Sequence, residues 1–173
     1  GTNYGVYGTT NSPAGYAGHF NGNVNTTGSY EIGGQNGLSF SGTNSLSVGP
    51  GAGANNTGNY NTFSGYQAGY SNTTGSENTF SGDWAGCSNT TGHGNTFSGN
   101  LAGYSNTTGN YNTFSGYQAG YNNTIGYRNT FSGNLAGYDN TTGNSNTFSG
   151  DQAGYLNTTG NYNTFLGNTA GQH

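Results

Sequence analysis

Residues 61–77 read NTFSGYQAGYSNTTGSE, and residues 78–94 read NTFSGDWAGCSNTTGHG. The phrase restarts at Asn95, Asn112, Asn129, Asn146 and Asn163, each time after 17 residues, and the last copy stops at His173. Nothing is inserted between copies. A period without drift is the mark of a solenoid. One copy cannot bury its own apolar face, but stacked copies share a continuous core.

The columns of the phrase, numbered 1 to 17 from each Asn-Thr-Phe, predict a cross-section. Column 3 is Phe63, Phe80, Phe97, Phe114, Phe131, Phe148 and Phe165, and column 8 is Ala68, Ala85, Ala102, Ala119, Ala136, Ala153 and Ala170. Columns 5 and 9 are Gly throughout, as is column 15 in every copy that reaches it. Constant glycine predicts corners that need positive φ or close backbone approach. Strand side chains alternate faces, so an inward Phe turns Thr62 and Ser64 outward. Columns 8 and 10 lie two apart, which predicts Ala and Tyr together on the wall opposite Phe. Column 10 is Tyr70, Tyr104, Tyr121, Tyr138 and Tyr155, interrupted by Cys87 and ended by Gln172, and is read as core or subunit packing. Asn at columns 1 and 12 is expected to form amide ladders at the corners. The fold class is all-β: a parallel β-solenoid, β-roll or β-helix, of about seven to eight 17-residue coils. Coils ~4.8 Å apart give a rod of roughly 35–40 Å.

Three segments follow. Residues 1–43 fall outside the register and read as short strands around Gly5, Ala17, Asn23 and Tyr30 with tight turns, expected to cap the rod or pair with another subunit. Residues 44–60 have the length of one degenerate coil, and residues 61–173 are the repeat solenoid. There is no methionine, so the chain is expected to be a processed product or a piece of a longer protein.

Composition narrows the function classes. Of 173 residues 36 are Gly, and only six are Asp, Glu, Lys or Arg. Arg128 is the sole basic side chain, which excludes phosphate-neutralising contacts to nucleic acid and a polybasic membrane surface. No apolar run approaches the ~18 residues of a membrane helix. Cys87 is alone and forms no intrachain disulfide.

The phrases GYQAGYSNTTG, GNYNTFSGYQAGY and GVYGTTNSPAGYAGHFNGNV resemble repeat segments of phage tail-fibre-type proteins and bacterial surface fibres. More loosely, the repeat is similar to the head β-rolls of trimeric autotransporter adhesins. Those coils are shorter and carry Ile where column 5 here is Gly. The resemblance implies an extracellular, fibrous and oligomeric part, as a homotrimer or a head-to-tail filament, with cell-surface glycans as candidate partners.

Chemistry finds little purchase. Paired carboxylates for glycan cleavage must lie within ~10 Å. Asp83 and Asp151 share column 6 but stand four coils apart, about 19 Å. Glu77 and Asp83, six residues apart across a corner, read as a solvated, unrelated pair; Glu31 and Asp139 complete the five acids. His19, His93 and His173 lack metal-ligand spacing, and Cys87 reads as a small buried filler. The loop Gly49-Pro50-Gly51-Ala52-Gly53 lacks the lysine of a phosphate loop. No catalytic residue, metal site or cofactor is expected. Asn-x-Ser/Thr sequons stand at Asn25, Asn55, Asn72, Asn89, Asn106, Asn122, Asn140 and Asn157. Glycans on successive coils would crowd, which favours an Asn ladder there. The outward column Thr62, Thr79, Thr96, Thr113, Thr130, Thr147 and Thr164, beside a Ser column, forms a hydroxyl grid. It resembles the Thr-x-Thr face of ice-binding β-solenoids. Tyr60, Tyr66, Tyr111, Tyr117, Tyr127 and Tyr162 occupy variable columns and are candidates for ligand or subunit contact. The leading expectation is a non-enzymatic, self-associating fibre subunit. Ice binding is the alternative, and a carbohydrate-binding or -cleaving fibre domain the weaker one.

Overall fold

The computed structural model describes residues 30–32 and 35–172. The runs read around Gly5, Ala17 and Asn23, the sequon at Asn25, and His19 and His173 lie outside the described residues. Ten strands form one sheet in strict chain order. β1 (Tyr30–Ile32) and β2 (Gln35–Ser39) are an antiparallel hairpin, and β2 runs antiparallel to β3 (Leu46–Val48). From β3 onward the sheet is parallel, through β4 (Thr62–Ser64), β5 (Thr79–Ser81), β6 (Thr96–Ser98), β7 (Thr113–Ser115), β8 (Thr130–Ser132), β9 (Thr147–Ser149) and β10 (Thr164–Leu166). Phe pairs with Phe and Thr with Thr from β4 to β10. The molecule is a parallel β-solenoid with one three-residue strand per coil.

Glycine at column 5 ends each strand. Gly82 and Gly99 both have φ 139°, and a Cβ on Gly82 would collide with the carbonyl oxygen of Gly99 in the next coil. The wall that follows is a chain of turns. Its amides alternate. Those of Ala68, Tyr70 and Asn72 bond back to the carbonyls of Gly65, Gln67 and Gly69, whereas those of Gly69, Ser71 and Thr73 reach Ala85, Cys87 and Thr90 of the next coil. Left-handed residues alternate with ordinary ones, as at Gln67 (φ 52°) and Gly69 (φ 60°), so the two-residue alternation of a strand does not hold. This corrects the expected wall. The column-8 alanines from Ala68 to Ala153 are buried, but the column-10 tyrosines are not in the core, and Tyr70 is 39% exposed.

The core has two unlike halves. One is apolar: Phe80, Phe97, Phe114, Phe131 and Phe148 are fully buried, with ring centroids 4.7–4.8 Å apart. Column-9 glycine lies flat against them, since a Cβ on Gly103 would sit 2.5 Å from the Phe97 ring. The other half is polar. In column 1 the Asn78 Oδ1 accepts the Asn95 backbone N–H at 2.9 Å, and Asn95 Nδ2 donates to the Gly109 carbonyl at 2.8 Å. In column 12, Asn106 Nδ2 donates to Asn89 Oδ1 at 2.7 Å and to the same Gly109 carbonyl at 3.1 Å. These asparagines are 0% exposed. The ladders expected at the corners line the interior instead.

The lead coil departs from the 17-residue length expected from Asn44. Leu46 pairs with Thr62, Ser47 with Phe63 and Val48 with Ser64, an offset of 16 that begins at Ser45. Thr57 bonds to Thr73 and Asn59 to Ser76, so the missing residue is at column 14. Asn44 (φ 54°) belongs with the left-handed column-17 residues Tyr60, Glu77 and Tyr111. Ser45 stands in for the column-1 Asn: its Oγ accepts the Asn61 N–H at 3.0 Å and donates to the Gly58 carbonyl at 3.2 Å.

Candidate functional surfaces

Among the described residues no group of three or more His, Cys, Asp or Glu is placed to hold a metal ion, and no helix is long and apolar enough to cross a membrane. The functional candidates are therefore surfaces, each generated by one column of the coil.

The first is the hydroxyl face. Strands β4 to β8 each show the burial pattern exposed–buried–exposed, with Thr and Ser outward and Phe inward. Parallel in-register pairing places Thr62, Thr79, Thr96, Thr113, Thr130, Thr147 and Thr164 in one exposed row. The Ser row beside it ends at β10, where Leu166 takes the Ser position and is 71% exposed.

Tyrosines flank this face with a rhythm that the single-coil reading did not register. In column 17, Tyr60, Tyr111 and Tyr162 recur every third coil, and in column 6 Tyr66 and Tyr117 do the same. Three coils correspond to ~14 Å at the strand spacing. Tyr60, Tyr111, Tyr117 and Tyr162 are at least half exposed. The signal was present in the sequence, as a period of three phrases in columns that look merely variable. Column 17 is left-handed in every coil, with φ near 60° for Glu77, Arg128 and Tyr162 alike. Asn59, Asn110, Asn144 and Asn161 precede this corner, and the amide Oδ1 of Asn110 accepts the His93 N–H at 2.8 Å.

Column 10 is a different aromatic surface. Tyr104, Tyr121, Tyr138 and Tyr155 stack with centroids 5.0–5.1 Å apart and planes within 9° of parallel. Each ring is half-buried by its neighbours, so the faces are occupied and the edges and hydroxyls meet solvent. Trp84 continues the series towards the lead coil, 6.2 Å from Tyr104 and 5.3 Å from Tyr66. Burial is the first cause that pushes the phenols of Tyr104 and Tyr138 up, followed by repulsion from neighbouring ionisable groups. Cys87 occupies the same column, is 5% exposed, and its thiol is pushed up by burial.

The acids are spread along the rod. Asp139 Oδ1 accepts from Asn122 Nδ2 at 2.6 Å, Asp151 Oδ1 accepts from Asn134 Nδ2 at 2.6 Å, and Asp83 Oδ1 accepts the Tyr66 N–H at 3.2 Å. Each carboxylate is thus tied to an adjacent coil. Arg128 lies 5.8 Å from the Tyr127 ring centroid, and His93 meets the Tyr111 ring edge-on at 4.9 Å. Ala52 of the Gly-Pro-Gly-Ala-Gly loop sits in the alanine column.

The sequons divide by burial. Asn72, Asn89, Asn106 and Asn140 are 0% exposed, and each Nδ2 donates to two interior acceptors. A glycan on any of them would replace one of those hydrogens and has no space in the folded coil. Asn157 makes the same two bonds while partly buried, Asn122 is bonded to Asp139, and Asn55 is exposed with Nδ2 on the Tyr70 carbonyl at 3.0 Å.

Comparison with family models, curated proteins and solved structures finds no match for the chain.

Proposed function

We propose that the chain is a non-enzymatic structural rod, a segment of an extracellular fibre of the tail-fibre or surface-appendage kind, that acts by holding a repetitive surface at fixed spacing and associating with copies of itself. The observation that carries this reading is the unbroken in-register ladder from β4 to β10, in which every coil repeats the same interior. Such an interior transmits shape along the axis and leaves the variable columns free to differ. A surface built on hydroxyls and amides, with six charged side chains in the chain, offers little electrostatic resistance to self-association. The exposed Tyr60, Tyr111, Tyr117 and Tyr162 supply ring surface for a second subunit or a neutral glycan. Analytical ultracentrifugation with electron microscopy tests the reading: rods joined as trimers or end-to-end filaments support it, and a monomer at high concentration overturns it.

A second reading has its own observation. The Thr and Ser rows are exposed on an in-register parallel sheet, ~4.8 Å apart between coils and ~7 Å apart within a strand, the kind of grid that orders water for ice binding. Thermal hysteresis measured on the monomer decides it, and its absence removes the reading.

A further inference from the structure

We propose that Tyr104, Tyr121, Tyr138 and Tyr155 are a site of oxidative phenol coupling that covalently staples successive coils of one chain. The proposal rests on the geometry of this column and not on the fibre reading.

The near-parallel rings, with centroids 5.0–5.1 Å apart, repeat the same close ring-to-ring approach at every step. The ortho carbons, which carry spin in a phenoxyl radical, lie at about that separation from their counterparts, and both side chains rotate out of the stack to close the bond. The rings are half-buried, so a diffusing one-electron oxidant reaches their edges and water takes the released protons. The Phe ladder, equally well stacked, has no hydroxyl and is fully buried. Cys87, the other oxidisable group of the column, is buried with its thiol pushed up, so thiolate does not compete for the oxidant. Within columns 6 and 17 the tyrosines recur only every third coil, ~14 Å apart, too far to couple with one another; Tyr117 of column 6 is the one such phenol close enough to act on Tyr138.

The chemistry balances with a peroxide as oxidant and a haem peroxidase as its activator. Each of two phenols loses one electron and its hydroxyl proton. The two phenoxyl radicals form one carbon–carbon bond between ortho positions. The two displaced ortho hydrogens leave as protons to water while the phenolic oxygens are reprotonated. Per link, two electrons and two protons pass to one hydrogen peroxide, which becomes two waters.

The position of Arg128 supplies the test. It is the single basic residue of the chain, so trypsin cuts once, and Tyr121 and Tyr138 lie on opposite sides of the cut. The folded chain is treated with peroxidase and hydrogen peroxide, denatured, cleaved and run on a denaturing gel, with dityrosine fluorescence read in parallel. The expected result is monomeric chain whose two tryptic fragments stay joined and fluoresce. Tyr121→Phe keeps the stacked ring, separates the fragments and lowers fluorescence, whereas Tyr117→Phe, which removes the other phenol that acts on Tyr138 across the cut, leaves them joined. Circular dichroism of Tyr121→Phe establishes that its coils persist. Fragments that separate in the unsubstituted chain overturn the proposal. So do dimers before cleavage that account for all the fluorescence, since these place coupling between chains at the exposed tyrosines.

Discussion

The two halves of the cross-section are equally dry and chemically opposite. Phe114 and Asn123 are both 0% exposed. Phe114 touches like rings at 4.8 Å on both sides, a contact that needs no particular rotation about the axis. Asn123 donates to Asn106 Oδ1 at 2.9 Å and to the Gly126 carbonyl at 3.0 Å, and accepts from Asn140 Nδ2 at 2.9 Å. Those bonds exist only if each coil sits one phrase from the last. The apolar half supplies non-directional burial, and the polar half specifies register.

Breaking the polar half is expected to have the largest effect. Asn123→Ala leaves Asn106 Oδ1 and one hydrogen of Asn140 Nδ2 unpaired and removes the longer 3.4 Å bond from Asn129 Nδ2, while Gly126 keeps its bond from Asn112 at 2.7 Å. At ~1–3 kcal/mol for each buried group left unpaired, the loss is about 2–6 kcal/mol. Denaturant midpoints measure it, and a loss under 1 kcal/mol would mean that the ladder is replaceable by water. Phe114→Ala follows, at ~3–5 kcal/mol for a large buried ring. Phe165→Ala should cost less, since that ring is only partly buried and stacks on Phe148 alone. Equal losses at 114 and 165 would contradict the view that ring stacking between coils carries the apolar half.

A charge sharpens the contrast. Asn123→Asp changes shape little but removes both donors, and burial raises the pKa of the new carboxyl above its ordinary ~3.9. The protonated form is the one the fold tolerates. The variant should therefore approach unsubstituted stability below pH ~3.9 and lose it as pH rises through the raised folded value. A variant equally unstable at acid and neutral pH refutes a buried ladder. At the alkaline end, Tyr104 and Tyr138 have pKa values raised first by burial, so the unfolded chain ionises near ~10 before the folded one does. Stability is held below that pH and lost as pH climbs through the folded values. The double change Tyr104→Phe, Tyr138→Phe should flatten the loss in alkaline melts.

Much of this architecture was legible because identity repeats. Constant Phe and Ala named the apolar half, and constant Gly named the corners. Constant Asn named the ladders but not their depth, since a polar column reads as surface until its bonds are counted. The left-handed columns 7 and 17 were hidden, because they hold Gln67, Trp84, Leu101, Glu77 and Arg128 and mostly lack the glycine that signals positive φ. A non-glycine residue costs roughly 1–2 kcal/mol there, which the hydrogen bonds of the turn chain outweigh. Hence strand alternation alone puts Tyr70 on the same face as Ala68, whereas a turn separates their directions. The lead coil's missing residue is hidden because Asn44 looks like a column-1 Asn, while Ser45 makes that position's bonds.

The lead coil carries the smallest and most discriminating prediction. Ser45 and Ser47 are both 2% exposed and lie in the two opposite halves. Ser45 bonds as the column-1 Asn does, whereas Ser47 sits in the Phe column and its Oγ is the one buried side-chain polar atom without a partner among the described residues. Ser45→Ala leaves the Asn61 N–H unpaired, a loss of ~1–3 kcal/mol. Ser47→Ala removes an unpaired hydroxyl and should leave stability unchanged or raise it by up to about 1 kcal/mol. Opposite signs for one substitution, two residues apart, follow only if the coil interior is divided into a polar and an apolar half. If Ser47→Ala destabilises as much as Ser45→Ala, the lead coil is not partitioned as the later coils are, and the division begins at Asn61.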